Sequence, residues 1–323
     1  MLSVDEVPRP AVGPDDVLVE VHAASVNPID TKIRRGGQRG VIRLRLPWIT
    51  GLDVSGVVVE VGARVTRFRP GDAVFGSPTH RRPGTMAEYV AVAVGELAAK
   101  PASLSHVEAA SLPLVALTAW EALVRLAGLR AGETVLIQAG AGGVGTVAIQ
   151  LARHLGARVV TTCSAGNAAL VRSLGAERVI DYRSERWDAA VSGLDVVLDA
   201  LGGEDKGRAL SVLRRGGRLV SLNSDLPACS AKYGPYLGVL VAVARMAAIG
   251  ARGRLGHGVR VRHALRPSDG AVLGEIAALV EAGAIRPVID RVLPLDAIVE
   301  AHRYVESGRA RGKVVVAIRG EGA

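Results

Sequence analysis

The sequence predicts a two-domain α/β protein, in which a doubly wound parallel sheet forms one domain and short β-strands dominate the other. Three observations support this fold class. The chain of 323 residues is long enough for two domains. Its residues are 49% hydrophobic but only 3% aromatic, and 39 are glycine, which suits parallel strands that helices bury on both faces. Strand-like and helix-like segments alternate from Glu133 onward.

The first part of the chain reads as short strands separated by turns. The runs VLVEVHAASV, VSGVVVEVG and AEYVAVAV are rich in β-forming residues, and proline and glycine interrupt the pattern between them. Near Ser105 the composition changes, and a helix-like segment follows that Pro113 interrupts and Gly128 ends. We therefore expect a mostly β first domain, with the change to the second domain beyond Ser105.

From Glu133 the chain follows a βαβ pattern. ETVLIQ, ARVVTTC, ERVIDY, LDVVLDAL and GRLVSLNS are strand candidates, and helix-like segments connect the first of them. Such connections produce parallel strands. A further strand–helix–strand–helix–strand pattern runs from Val259 to Ile318 and closes the chain.

A strongly apolar stretch occupies residues 236–250. Arg245 interrupts it, and it is short for a membrane span of ~20 residues. We expect a buried or interface helix and no integral membrane segment, with contact to a membrane surface as the alternative. The first ten residues lack the basic and apolar regions of a secretory signal. The two cysteines, Cys163 and Cys229, suit a reducing compartment, so we expect a cytoplasmic protein.

The net charge of +9 raises the possibility of a nucleic-acid partner. The arginines are spread along the chain, with short clusters at Arg34–Arg35, at Arg81–Arg82 and between Arg252 and Arg262. Aromatic residues for base stacking do not accompany them. We expect no nucleic acid as a partner, whereas a polyanionic cofactor could use a few of these arginines.

A glycine motif directly follows the strand candidate ETVLIQ. Gly140, Gly142 and Gly145 form G-x-G-x-x-G, with Gly143 as an additional glycine, and a helix-like apolar stripe begins at Val144. Gly140 would permit the tight turn, Gly142 would let the backbone approach a pyrophosphate, and Gly145 would let the helix pack on the strand. The backbone of these residues, Val144 included, is expected to bind the cofactor at the helix N-terminus.

The end of the second strand indicates which cofactor binds. An NAD-preferring site places an acid there, about 20 residues after the first glycine. This chain has T-T-C-S-A-G-N instead, in which Ser164 and Asn167 can donate hydrogen bonds to a 2′-phosphate. Arg172 lies on the next helix, and Tyr182 ends the third strand. We expect NADPH rather than NADH, although Ser164 could also serve as a helix cap.

Seven motifs together carry a family resemblance. They are S-V-N-P-I-D at residues 25–30, D-V-S-G-V-V at 53–58, P-G-D at 70–72, A-S-L-P-L-V-A-L-T-A-W at 110–120, G-G-V-G-T at 142–146, L-G-A-E-R-V-I-D-Y at 174–182 and A-R-G-K-V-V-V at 310–316. With them the chain resembles the zinc-independent quinone oxidoreductase branch of the medium-chain dehydrogenase/reductase superfamily, nearest to its mitochondrial and chloroplast-envelope members. The resemblance spans nearly the whole chain.

The resemblance implies a Rossmann cofactor domain and a GroES-like catalytic domain that is split in sequence. The catalytic domain would comprise residues 1–116 and 267–323, and the NADPH-binding domain residues 117–266. The active site would lie in the cleft between them.

The resemblance also implies roles for particular residues. Asn27 and Asp30 would line the cleft near the nicotinamide, and Asn27 is the first candidate to stabilise negative charge on the acceptor. Thr118 would contact the cofactor, and Lys313 with Arg311 would approach it from the C-terminal segment. The carboxamide would meet Leu222, Asn223 and Ser224. Two ordinary roles remain open: a turn at Asn27–Pro28, and a solvated strand start at Lys313.

In two respects the chain departs from the family pattern. Relative to the family pattern it starts about a dozen residues late, so we expect the usual first strand to be missing from the edge of the first domain. Many relatives carry a tyrosine after S-V-N-P-I-D, whereas here the first tyrosine is Tyr89. The proton donor therefore stays open among Lys32, Tyr233, Tyr236 and water.

No zinc site is expected. The segments that hold zinc ligands in related dehydrogenases read V-N-P-I-D-T-K and T-G-L-D-V-S-G here, without cysteine or histidine, and His22 and His80 lack the spacing of ligands. Without a metal, hydride transfer to an acceptor that is already electron-poor is favoured over alcohol oxidation. The apolar stretch from Pro235 to Ile249 lies where relatives form one wall of the substrate cleft, so the resemblance implies a bulky, lipophilic acceptor.

Three functions remain open. The first is an NADPH-dependent quinone reductase, the second is an ene-reductase that acts on enones or on a biosynthetic intermediate, and the third is an NADPH-binding sensor with little catalysis. A homodimer is expected in each case, because the segment from Val259 to Leu265 falls where relatives place the last strand of the cofactor sheet, which pairs there with the same strand of a second copy.

Overall fold

The computed structural model describes residues 2–42, 44, 46–80, 82 and 84–319, and the chain divides into two compact units. The first unit comprises Met1–Arg35, Leu44–Leu117 and Pro267–Ala323, and the second comprises Gly36–Arg43 and Thr118–Arg266. One unit is built on a mostly antiparallel sheet and the other on a parallel sheet. The predicted fold class is confirmed. Arg81, part of one predicted arginine cluster, lies outside the described residues.

The strands in chain order are β1 (Asp16–Val26), β2 (Val54–Val61), β3 (Ala73–Gly76), β4 (Tyr89–Ala93), β5 (Leu97–Ala99), β6 (Thr134–Ile137), β7 (Arg158–Cys163), β8 (Arg178–Asp181), β9 (Leu194–Asp199), β10 (Leu213–Ser221), β11 (Arg260–His263), β12 (Ile289–Pro294) and β13 (Lys313–Ala317).

The α-helices are α1 (Pro28–Arg34), α2 (His106–Ala110), α3 (Pro113–Trp120), α4 (Gly143–His154), α5 (Ala168–Ser173), α6 (Trp187–Ala190), α7 (Asp205–Val212), α8 (Leu226–Tyr233), α9 (Pro235–Arg252), α10 (Gly270–Glu281) and α11 (Ile298–Glu306). Two π-helical turns, Glu121–Leu126 and Gly253–His257, extend α3 and α9. Three short 3-10 turns occupy Val94–Glu96, Ala165–Asn167 and Leu295–Ala297.

The long strand β1 organises the first unit. It pairs with β2 along one side and with β4 and then β13 along the other, in the sheet order β12-β13-β1-β2-β3-β5. Valines dominate the core beneath it, among them Val19, Val58 and Val74. The pairing with β13 returns the C-terminal segment to the sheet next to the end of β1, where α1 begins.

All six strands of the second unit are parallel, in the order β11-β10-β9-β6-β7-β8. Helices cover the sheet, and the core contains Leu136, Ile180, Val197 and Leu219. The strand order reverses between β6 and β9, which is where open α/β sheets bind ligands at their carboxyl edge. The glycine motif follows β6 at that edge.

The apolar stretch differs from the expectation. It forms a continuous helix of 23 residues, Pro235–His257, and only 17% of its apolar window is buried within the chain. By length and composition alone, this helix could cross a membrane. Leu240 is 67% exposed and Val243 is 58% exposed. The helix is longer than expected and is mostly not buried within the chain, whereas the expected role as an interface helix stays a prediction.

Candidate functional site

The glycine turn connects β6 to α4 at the carboxyl edge of the parallel sheet. A Cβ atom at Gly140 would lie 2.0 Å from Thr161 Oγ1 on β7, and one at Gly145 would lie 2.4 Å from the backbone oxygen of Ala139. Both positions need glycine because the turn packs so closely against the strand and the helix. The left-handed residue of the turn is Ala139, with φ of 52°, whereas the missing side chain of Gly140 allows the close approach to Thr161 on β7.

Gly142 differs from its two neighbours in the motif. Its φ is −82°, which any residue can adopt, and a Cβ atom there would meet only one atom within 4 Å, the backbone oxygen of Ala139 at 3.3 Å. The packing of the chain therefore does not require glycine at this position. A missing side chain here leaves open the first turn of α4, where the N–H groups of Gly143, Val144 and Gly145 can bind an anion.

Ser164 and Asn167 lie just beyond β7, which is adjacent to β6 in the sheet. Asn167 Nδ2 donates a hydrogen bond to Ser164 Oγ at 3.3 Å, and the Ser164 side chain makes no capping hydrogen bond. The Ser164 hydroxyl hydrogen can therefore point elsewhere. Arg172 is exposed on α5, and Tyr182, one strand further along, is 55% exposed.

Leu222, Asn223 and Ser224 follow β10 on the other side of the switch point. Asn223 Nδ2 donates to the backbone oxygens of Ala200 and Leu201, at 3.1 and 3.2 Å, so its amide connects the ends of β9 and β10. The amide is therefore already engaged within the protein. The backbone of this segment remains the part that could face a carboxamide.

Two charged residues that the sequence analysis did not name support this edge. Asp199, 0% exposed, accepts hydrogen bonds from Ser221 Oγ at 2.5 Å and from the N–H of Gly202 at 2.8 Å. Lys206, 3% exposed, donates to the backbone oxygen of Asn223 at 2.6 Å. These contacts fix the loops after β9 and β10.

A buried polar network lies at the end of β1 in the first unit. Asp53, 0% exposed, is its centre. Its Oδ2 atom accepts hydrogen bonds from Ser25 Oγ at 2.6 Å, Asn27 Nδ2 at 2.7 Å and Lys313 Nζ at 3.1 Å. Its Oδ1 atom accepts one from the N–H of Leu114, at the start of α3, at 2.7 Å. The carboxylate thus holds four separate parts of the chain together.

Asn27 and Lys313 are partners within this network. Lys313 Nζ donates to Asn27 Oδ1, while Asn27 Nδ2 donates to Asp53 and, at 3.4 Å, to the backbone oxygen of Ser25. Both side chains are buried, so the alternative of a solvated Lys313 is wrong. Both N–H groups of the Asn27 amide are engaged inside the protein. The expected donation from Asn27 to an acceptor would therefore require one of these internal hydrogen bonds to break.

Asn27 is also the N-cap residue of α1. Pro28 occupies the first helical position, and Asp30 Oδ2 accepts a hydrogen bond from the N–H of Asn27 at 2.7 Å. Burial raises the pKa of Asp30 to about 7. Burial likewise lowers the pKa of Lys32, which lies half-buried on the same helix.

Two further residues were predicted to contact the cofactor, Thr118 and Arg311. Thr118 lies half-buried in α3. Arg311 is exposed, and only its backbone N–H has a described partner, Asp290 Oδ2 at 3.0 Å. Within residues 2–42, 44, 46–80, 82 and 84–319, no group of three or more His, Cys, Asp or Glu side chains could hold a metal ion.

Comparison with known proteins identifies the family. The model of the alcohol dehydrogenase GroES-like domain matches residues 13–102, and that of zinc-binding dehydrogenases matches residues 174–316. The chain is 40% identical over 324 residues to the mouse mitochondrial NAD(P)H oxidoreductase RTN4IP1, covering 94% of this chain and 82% of the relative. It belongs to the quinone oxidoreductase branch of the medium-chain dehydrogenase/reductase superfamily.

The chain is also similar to a plant reductase and to a solved quinone oxidoreductase. The chain is 36% identical over 318 residues to the tomato 2-methylene-furan-3-one reductase, covering 95% of this chain and 73% of the relative. The solved quinone oxidoreductase from Coxiella burnetii matches with a TM-score of 0.80 and 33% identity, over 97% of this chain and 93% of that one. The predicted resemblance is confirmed.

In this quinone oxidoreductase-like chain, the sequence carries a usable signal for the role of Asp53. Asp53 begins the motif D-V-S-G-V-V, and no individual role was predicted for it. It is a lone acid beside the apolar run V-S-G-V-V-V. An acid in that setting is buried only when it is paired, which points to a basic partner elsewhere in the chain.

The first prediction separates two roles of glycine. Gly142→Ala should leave the thermal midpoint nearly unchanged but weaken NADPH binding at least tenfold, or about 1.4 kcal/mol, because the methyl group obstructs the pyrophosphate. Gly145→Ala should cost about 1–3 kcal/mol of stability, because its Cβ would collide with backbone atoms. Melting curves and a fluorescence titration measure both effects. Unaltered NADPH affinity in Gly142→Ala would contradict the assignment.

The second prediction concerns Asp30. Because its folded pKa is raised from 3.8 to about 7, the folded chain binds this proton more tightly than the unfolded chain. That contribution to stability is full below about pH 4 and is lost as the pH rises through about 7. Asp30→Asn should remove it, so urea midpoints should fall less between about pH 5 and pH 8 than in the unmodified protein.

Asp72→Asn is the matched control for Asp30→Asn. Asp72 also accepts a hydrogen bond from a backbone N–H three residues earlier, that of Arg69 at 2.9 Å, but it lies at the surface. Its replacement should leave the pH dependence intact. Equal pH profiles for Asp30→Asn and the unmodified protein would show that Asp30 does not bind this proton.

Proposed function

We propose that this protein is an NADPH-dependent oxidoreductase that transfers hydride to a quinone or a similar lipophilic, electron-poor acceptor without zinc. The observation that carries the proposal is the carboxyl edge of the parallel sheet. There an open glycine turn at Gly142 adjoins a β7 end that offers Ser164 and Asn167 and no acid. Relatives named NAD(P)H oxidoreductase and quinone oxidoreductase homolog support it.

The residues present fit this cofactor. The first turn of α4 would bind the pyrophosphate, because its N–H groups have no partner within the helix and lie next to a position without a side chain. Ser164 and Asn167 would donate hydrogen bonds to the 2′-phosphate, with Arg172 and Tyr182 nearby, and a carboxylate would repel that phosphate. NADPH, when bound, supplies the hydride.

The first unit is proposed as the catalytic unit and the second as the cofactor unit. In the first, the Asp53 network holds the start of α1, and with it Asp30 and Lys32. We propose Lys32 as the proton donor, because its lowered pKa eases release of the proton. Asn27 would act through Asp53 and Lys313 by positioning α1.

The absence of zinc is part of this proposal. One matched family model is described as a zinc-binding dehydrogenase. In this chain the segments around Asn27 and Asp53 have neither cysteine nor histidine, and their carboxylate and amide groups pair with Lys313. The positive charge of Lys313 would repel a divalent cation at this place.

An ene-reductase is the second candidate. It is supported by the tomato relative and by an Arabidopsis relative named NADPH-dependent alkenal/one oxidoreductase, 35% identical over 317 residues. The CurK enoyl reductase structure also matches, with a TM-score of 0.80 at 27% identity over 97% of this chain and 94% of that one. An NADPH-binding sensor with little catalysis is the remaining candidate.

A homodimer is proposed through β11. This strand lies at the edge of the parallel sheet, and the nearby helix α9 exposes Leu237, Leu240 and Val243. A second copy could pair with the edge and cover these side chains. Light scattering at micromolar concentration should give a dimer mass. Several relatives are named mitochondrial or chloroplastic, so the cytoplasmic location stays a prediction.

The third prediction tests the function directly. With NADPH as donor, loss of its absorbance should be fastest with a lipophilic quinone, slower with enones, and unaffected by a chelator. NADPH should bind at least tenfold more tightly than NADH, and Ser164→Asp should reverse that preference by charge repulsion. Gly166→Ala, a change in the same turn where a Cβ would meet nothing within 4 Å, is the control.

Three outcomes would decide among the candidates. Faster turnover of enones than of quinones would favour the ene-reductase. Tight NADPH binding without turnover of either acceptor class would favour the sensor. Equal affinity for NADH and NADPH would contradict the role given to Ser164 and Asn167.

A further inference from the structure

A cavity lined by arginines lies at the amino edge of the parallel sheet, the edge opposite the glycine turn. Its volume is about 430 Å³. It lies where β6 and β11 begin, next to Arg218 in β10, which is in register with Arg260, the first residue of β11. The six arginines that line it are Arg125, Arg130, Arg214, Arg218, Arg260 and Arg262. We refer to them as the arginine cluster.

Part of the arginine cluster is held in place by hydrogen bonds. Arg218 donates to both carboxylate oxygens of Glu133, at 2.8 and 2.5 Å, and to the backbone oxygen of Ala127 at 2.9 Å. Arg214 donates to Asp195 at 2.5 Å. These guanidinium groups are therefore oriented before any ligand arrives, which lowers the entropic cost of binding.

The other part of the arginine cluster is exposed in the single chain. Arg130, Arg260 and Arg262 are exposed, and across the described part of the chain their guanidinium groups have no hydrogen bond or ion pair. Arg260 and Arg262 are two residues apart on β11 and so project from the same face. The backbone of β11 thus holds two of these three arginines, Arg260 and Arg262, next to each other.

The charge of the cavity is far from balanced. Glu133 and Asp195 pair with Arg218 and Arg214, and Glu121 lies 3.6 Å from Arg125. These three carboxylates offset half of the six positive charges. The remaining guanidinium groups repel one another, so an anion that enters the cavity gains their attraction and relieves their repulsion.

We propose that the arginine cluster binds a compact, soluble polyanion that carries two or more phosphate groups, at a second site on the cofactor unit. Guanidinium groups bind phosphate oxygens through paired hydrogen bonds, and several phosphates can use several arginines at once. Among the residues that the structure describes, no aromatic side chain lines the cavity, so these residues offer no surface for stacking the bases of a nucleic acid. This site does not depend on the proposed function.

Inorganic triphosphate is the probe, titrated by calorimetry into the full chain at low salt. One molecule should bind per chain, both without NADPH and with saturating NADPH. Arg260→Ala/Arg262→Ala should weaken binding at least tenfold. Arg260→Lys/Arg262→Lys, which keeps the charge but loses the paired geometry, should give an intermediate loss and also serves if the alanine variant folds poorly.

Arg303→Ala/Arg309→Ala is the matched control. It removes the same charge from two exposed arginines in and after α11 of the other unit, and it should leave triphosphate binding unchanged. Equal weakening by both double variants would show diffuse attraction and overturn the proposal. Displacement of triphosphate by NADPH would place it at the glycine turn and overturn it too. So would tighter binding of a single-stranded oligonucleotide or of phosphatidylglycerol vesicles than of triphosphate.

Discussion

The buried carboxylate of Asp53 is the constraint on which the first unit depends. It is fully enclosed and forms an ion pair with Lys313, 260 residues further along the chain, at 3.1 Å. A buried charge without its partner costs several kcal/mol, so the C-terminal segment must return to the sheet for the unit to be stable. The C-terminal segment therefore joins this unit through the Asp53–Lys313 ion pair as well as through the pairing of β1 with β13.

The same interaction determines what the candidate catalytic residues can do. Asn27 contacts both members of the ion pair and begins α1. Both N–H groups of its amide are engaged within this network, so they are not free to donate to an acceptor. Asp30 lies in the first turn of α1, where it is buried, and this burial raises its pKa. The Asp53–Lys313 ion pair thus determines the surroundings of Asn27 and Asp30 in the proposed catalytic site.

The two edges of the parallel sheet present different chemistry. At the carboxyl edge, small residues leave the first turn of α4 open, and attraction for phosphate comes from N–H groups. At the amino edge, attraction comes from guanidinium groups, three of which lack a partner among the described residues. One sheet therefore carries two anion-binding arrangements of different origin.

Much of this could be predicted from the sequence, because period and spacing are local properties. The alternation of strands and helices and the position of the glycine motif followed directly from them. The left-handed conformation of Ala139 could not be predicted in this way, because residues other than glycine rarely adopt it. The burial of Lys313 and the exposure of α9 were also missed, because both depend on which distant surface a segment meets.

The most direct test of this account is a double-mutant cycle on Asp53→Asn and Lys313→Met, measured by urea unfolding. Each single variant should lose about 3–5 kcal/mol, because it leaves the other charge buried and unpaired. The double variant should lose much less than the sum, with a coupling energy of about 2 kcal/mol or more. Additive losses would show that the ion pair does not organise this unit.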